Sequence, residues 1–350
     1  MQSAEATRIL GIEHPILQGP FGGGLSTTKL VASVANLGGL GSYGAHVIAP
    51  EDLGKLAAEI RAETPKPFAL NLWISDHDPG GDRVDERTYE HAWRVFEPYF
   101  RELGLDRPDP PKRFHHSYEE QIDALLEARP PVFSFVFGIP SAPVLAECKR
   151  LGIVTIGAAT SLREAEALEQ AKVDLIVATG AEAGGHRPSF LARAEDSLCG
   201  TFALTQLVAS RVGIPVIAAG GIANGNGVRA AQALGAQAAQ IGTAFLACEE
   251  SGASKEHREL LFSDRALQTI LTRAFSGRLA RGLQNRWTEE FRDRPDLPPF
   301  PITSWFTSEL KRAAVAAGRT DLVSLWSGQI APNLRHRTVA ALMASILEQL

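Results

Sequence analysis

Asp174-Leu-Ile-Val-Ala-Thr-Gly-Ala-Glu-Ala-Gly-Gly-His-Arg187 begins as an apolar run and ends in a glycine-rich turn. A short apolar run bounded by turn residues suits a strand covered on both faces, as in a parallel sheet. Gly184 and Gly185 lack a Cβ, so the backbone there can bend sharply and approach a flat or anionic ligand. His186 follows the bend, and a histidine at a strand end can move protons near neutral pH.

Working outward, the same strand–turn–helix unit recurs. Earlier strands are read at Pro15–Pro20, Gly38–Gly44, Pro67–Trp73, Pro131–Gly138 and Ile153–Ala158, and later ones at Pro215–Gly221 and Ala238–Thr243. With Asp174–Thr179 that makes eight strands, each followed by a helical stretch. Strands alternating with helices imply a parallel sheet with right-handed crossovers. Eight units predict closure into an α/β TIM (β/α)8 barrel; an open doubly wound sheet is the runner-up. The barrel is expected over residues 10–265, with an inserted segment after strand three at about 75–116. Residues 266–350 are expected to form a helical region packed on the barrel or capping it. A connection as long as the insertion is usually functional or a lid; its first part, Ser75–Arg87, is polar and acidic, and Tyr89–Leu103 reads as a helix.

Composition narrows the function classes. The chain has 350 residues and a net charge of −5, so it offers no basic footprint for nucleic acid and no polybasic membrane patch. No apolar run reaches membrane-spanning length and Met1–Leu10 lacks signal-peptide features, so a cytoplasmic enzyme is expected. A homodimer stays open. Cys148, Cys199 and Cys248 have no paired spacing, which argues against disulfides and a zinc site. Only Cys199, in a loop, is kept as a candidate nucleophile. His115-His116 read as solvated loop residues, and His14, His46, His77, His91, His257 and His336 as structural or surface residues. No metal site, Gly-x-Gly-x-x-Gly fingerprint or Gly-x-Ser-x-Gly elbow is found.

In such a barrel, chemistry sits on the loops after the strands. The first strand end offers Gln18, the third Asn71, the sixth Thr179, Gly184, Gly185 and His186, the seventh Gly220 and Gly221, the eighth Gln240, Gly242 and Thr243. The last two loops frequently form a phosphate site in barrels, where backbone N–H groups and a short helix meet the anion; glycines that merely allow tight turns are the plainer reading. Asn71 donates and accepts at once, which suits a heteroaromatic ring edge. His186 is read as an acid or base, or else as a turn histidine bonded to nearby backbone. Glu182 is a candidate to orient it.

Glu182-Ala-Gly-Gly-His186, Ile217-Ala-Ala-Gly-Gly-Ile222, Gln240-Ile-Gly-Thr243 and Thr272-Arg-Ala-Phe-Ser-Gly-Arg278 occur in this order, and together they resemble the nitronate monooxygenase (2-nitropropane dioxygenase) family. The resemblance implies a barrel holding non-covalent FMN, with oxidation of alkyl nitronates, or of nitroalkanes in some members, by O2 to a carbonyl compound and nitrite. It implies flavin contacts at Asn71, Gly184, Gly221 and Gln240–Thr243, the last group mostly at the phosphate, and His186 as the catalytic residue. Thr179 stands where a glutamine is common in the family, and the first strand ends in Gln18-Gly-Pro-Phe where Ala-Pro-Met is more familiar. The alternative is an FMN-dependent enoyl-acyl-carrier-protein reductase consuming NAD(P)H, a relative with similar motifs.

Overall fold

The computed structural model describes residues 3–74, 78 and 83–350. Much of the polar stretch 75–87, with His77 and Gly80-Gly81, lies outside them, as do Met1 and Gln2. Eleven strands are present among the described residues: β1 (Ile16–Gln18), β2 (Gly41–Gly44), β3 (Phe68–Trp73), β4 (Val132–Val136), β5 (Val154–Ala159), β6 (Leu175–Thr179), β7 (Gly185–His186), β8 (Val216–Ala219), β9 (Ala238–Ile241), β10 (Thr269–Thr272) and β11 (Ala280–Leu283).

Eight of these form one parallel sheet in the order β1-β9-β8-β6-β5-β4-β3-β2. The sheet closes on itself where Leu17 meets Leu40 in a parallel bridge, with Gln18 N donating to Leu40 O at 2.9 Å. This is the TIM barrel that the strand rhythm predicts.

Strand alternation decides which side chains meet inside. Leu17, Ala69, Val132, Leu175, Val177 and Ile217 pack together as the barrel interior, plugged by Ala6 and Leu10 of the helix Ser3–Leu10. Their neighbours Leu70, Phe133, Ile176 and Ala178 pack outward with Leu204 and Val208 of the helix Thr201–Ala209 and with other covering helices. Continuing the inward parity one step toward the C-terminal rim gives Asn71, Ser134, Thr179, Ala219 and Gln240. The interior therefore changes from aliphatic to polar along β3, β4, β6 and β9.

Two regions complete the molecule. Helix Glu86–Glu102 of the insertion starts three residues before the expected Tyr89, because the Asp85 carboxylate accepts from Thr88 N at 2.9 Å and caps it. Its Tyr89 and Phe96 rings each stand 5.4 Å from Phe306 on the helix Ile302–Ala316. Insertion and C-terminal region thus share one aromatic core, continuous with barrel-helix residues such as Leu30 and Val34. β10 and β11 form an antiparallel ribbon whose inner strand pairs with β7, Ala280 opposite His186. Among the described residues no helix is long and apolar enough to cross a membrane.

Candidate active site

A cavity of about 1040 Å³ opens at the C-terminal ends of the barrel strands. It sits at the upper end of the roughly 300–1,000 Å³ typical of small-molecule sites, which leaves room for a large ligand and a small one together. Asn71, Thr179, Gly184, Gly185 and His186 line it from one side. Gly220, Gly221, Gln240, Gly242 and Thr243 line it from another. These ten expected residues are brought to one place by the shared inward parity and the loops that follow.

Gln18 is the exception. It is fully buried, and it is not part of the cavity wall. Leu17 takes the inward position, so Gln18 faces away; its amide donates to Gly19 O and its Oε1 accepts from Ser42 N at 2.8 Å. Gln18 stitches β1 to β2 and does not reach the cavity.

The wall formed by the last two barrel loops is mostly backbone. Gly220 and Gly221 adopt φ of 109° and 71°, the left-handed region open to glycine. A Cβ on Gly220 would lie 2.7 Å from Thr201 Oγ1. The N–H groups of Gly220 and Gly221 find no acceptor among the described residues. A loop from the C-terminal region approaches the same place: Gly328 N donates to Thr243 Oγ1 at 2.9 Å, and Gln329 N to Glu182 O at 3.0 Å. A Cβ on Gly184 would lie 2.5 Å from Gly328 N. Unpartnered amides in a cradle that a side chain would fill are what a phosphate group requires.

His186 stands in an aromatic box. Its ring centroid lies 4.8 Å from Trp73 and 5.2 Å from Trp326. Nε2 lies 2.8 Å from Ser276 Oγ. The Ser276 hydroxyl donates to Arg278 O at 3.2 Å and Oγ accepts from Arg278 N at 3.2 Å. The hydroxyl serves as donor or acceptor to Nε2 according to the imidazole tautomer. Burial holds the His186 pKa well below the usual histidine value, and the neighbouring His46, Arg278 and Lys311 push the same way. The ring is neutral at neutral pH.

Glu182 does not orient His186. Its carboxylate accepts from Thr201 N at 2.8 Å and Thr201 Oγ1 at 2.9 Å, holding the start of helix Thr201–Ala209. A carboxylate at a helix N-terminus is stabilised there, and Ser276 fills the place beside the imidazole.

Several lining residues were not singled out from sequence. His46, read as structural or surface, lines the cavity, stacked on Trp73 with centroids 3.9 Å apart. Its Nδ1 has no partner and burial takes its pKa down to about 3. It lies two residues beyond Gly44 on the inward parity of Leu40, a signal the alternation contains. Lys311 lines the cavity from the helix Ile302–Ala316, without a carboxylate partner among the described residues; burial lowers its pKa to about 8. His257 also lines it, giving Nε2 to Trp326 O at 3.0 Å. Cys148 and Cys248 are buried, and Cys199, partly buried, is not part of the wall. No group of three or more His, Cys, Asp or Glu able to hold a metal occurs among the described residues.

A family model described as nitronate monooxygenase matches residues 3–349. The chain is 42% identical to the nitronate monooxygenase of Pseudomonas aeruginosa, with 98% of each chain covered. It is 41% identical to that of Paraburkholderia phytofirmans, over 98% of this chain and 93% of the relative. Among solved structures it resembles nitroalkane oxidase from Streptomyces ansochromogenes, with a TM-score of 0.88 and 34% identity over 99% of this chain and 97% of that one. FabK from Thermotoga maritima follows at TM-score 0.74 and 30% identity, over 98% and 94%. From the family match along almost the whole chain, and from relatives of this identity and coverage, the chain belongs to the nitronate monooxygenase family of oxidoreductases.

Proposed function

We propose that this protein oxidises alkyl nitronates, and nitroalkanes through the same site, with O2 as acceptor, releasing a carbonyl compound and nitrite. FMN is the cofactor of this reading. When bound it supplies the electron chemistry, and the protein supplies position and charge. Gly220, Gly221, Gly242 and Thr243 would hold its phosphate, closed over by Gly184 and Gly328. Asn71 and Gln240, on the inward parity of β3 and β9, would meet the ring edge; Asn71 is already held by donating to Ser134 Oγ at 3.0 Å.

The observation that supports this best is a neutral imidazole sharing one cavity with two unpartnered glycine amides. His186, uncharged, is set to take the α-proton of a nitroalkane, with Ser276 holding the ring through Nε2. A nitronate is already deprotonated and needs no base. Lys311, a cation on the wall without a carboxylate partner among the described residues, attracts that anion. Trp73, Phe137 and Trp326 give the imidazole an aromatic surround.

The test is an absorbance spectrum of the purified protein, followed by oxygen uptake with propyl-2-nitronate set against NADH. A yellow protein consuming oxygen with the nitronate is expected. Colourless protein that takes up no added FMN would overturn the cofactor reading. Anaerobic bleaching by NADH without nitronate-driven oxygen uptake would move the assignment to the reductase alternative.

A further inference from the structure

Successive residues of an extended strand face opposite sides. His186 faces the main cavity; Arg187 faces a second, smaller hollow of about 250 Å³. Strand pairing continues through it, with Arg187 N donating to Leu279 O at 2.8 Å. The hollow is lined by Arg187, Arg273 and Arg278 and, among the described residues, by one carboxylate, Asp78.

Arg187 is an unusual cation. It is 5% exposed and no carboxylate pairs with it among the described residues. Nε donates to Ser197 O at 2.6 Å and Nη1 to Thr179 O at 2.5 Å, both neutral carbonyls, and Nη2 has no partner. Burial lowers its pKa only to about 10, so it stays charged. Glu164 and Glu182 attract this charge without contacting it, which leaves Nη2 as a donor without an acceptor. Arg278 is in a related position: Nη2 binds Asp78 at 2.6 Å and Nη1 has no partner. Arg273 gives Nε and Nη2 to Glu195 at 3.1 and 2.8 Å.

We propose that this hollow binds a small planar oxyanion, of the class that includes nitrite and carboxylates. Guanidinium groups present paired N–H donors in a plane, matching a ligand with two oxygens on one centre. The volume is below that of a site for larger organic ligands. The partition from the main cavity is thin: Phe137 lines both, and the Arg278 guanidinium lies 3.8 Å from its ring centroid. The hollow is the resting place of the anionic product beside the site that forms it. Naming nitrite as occupant rests on the proposed reaction; the oxyanion class does not.

The experiment uses FMN-loaded protein without nitronate, so no turnover enters. Thermal unfolding midpoints are followed against sodium nitrite, with ionic strength held by sodium HEPES. A saturable rise is expected. Arg273→Gln should raise the half-saturating nitrite concentration about threefold or more. Lys311→Met, which removes a cation from the main cavity, should leave that concentration unchanged. Crystals soaked in sodium bromide should show anomalous density beside Arg187. Absence of a saturable rise, a shift with Lys311→Met but not with Arg273→Gln, or bromide in the main cavity alone would overturn the proposal. If nitronate oxidation fails while nitrite still binds at Arg187, the proposed function falls and the oxyanion site stands.

Discussion

The barrel rim and the segment after residue 265 build the same cavity by different means. The rim contributes bent backbone and short side chains: Gly184, Gly220, Gly221, Gly242, Thr243. The later segment contributes much of the chemistry around the imidazole: Ser276, Lys311 and Trp326. The glycine cradle and the surroundings of the imidazole thus draw largely on different parts of the chain, and variants on the two sides should fail in different ways. His186 belongs to both, since β7 leaves the barrel loop to pair with β11.

The largest expected effect tests that shared position. His186→Asn should lower nitroalkane turnover roughly 10²–10⁴-fold, the usual worth of a positioned base, while nitronate turnover is largely kept. Oxygen uptake with each substrate measures the split, and equal loss of both would remove the base role.

Next is the seam between the two regions. Gly184→Ala would set a Cβ 2.5 Å from Gly328 N and 2.6 Å from Ser327 C, backbone that cannot swing aside. Gly185→Ala has open space and only the strain of φ 76°. Urea unfolding should show a loss of about 1–3 kcal/mol for the first and about 1 kcal/mol for the second, with flavin retention reduced mainly in the first. Equal losses would mean the seam is not where the regions lock.

A smaller effect isolates the later segment. Lys311→Met should raise the KM for propyl-2-nitronate about tenfold, the scale of one charge-assisted contact, and barely move it for neutral 2-nitropropane. With its pKa lowered to about 8, Lys311 loses its charge as pH rises through 8. Wild-type nitronate KM should therefore rise above that pH, and in the variant it should not.

The smallest effect concerns stability. His257 is 3% exposed and its pKa is lowered to about 4. Below about 6.5 the unfolded chain binds a proton there that the folded chain refuses, so stability falls as pH drops from about 6.5 toward 4. Its share of the slope is up to about 1.4 kcal/mol per pH unit. His46 and His186 act in the same direction, so the readout is the difference between wild type and His257→Gln in urea midpoints from pH 7 to 5. An unchanged slope would show that His257 is protonated in the fold.

Much of the site was legible because the strand period is two and the barrel fixes which end matters. Asn71, Thr179 and Gln240 follow from Ala69, Val177 and Ala238 by parity alone. The same rule, applied strictly, would have excluded Gln18, which neighbours the inward Leu17, and included His46, on the parity of Leu40. The motif Thr272–Arg278 was legible as a resemblance, but nothing in it says that Ser276 bonds the His186 ring; that contact joins residues 90 apart in sequence.

By itself, the sequence determined the barrel, the location of the glycine bends and the residue types at the rim, because these depend on local periodicity and turn chemistry. Only the tertiary structure decided that His186 is neutral, that Glu182 serves a helix and not the imidazole, and that Lys311 faces the cavity. Those outcomes depend on burial and on charges brought together from distant segments, and solvent exclusion is a property of the packed whole that no local pattern encodes.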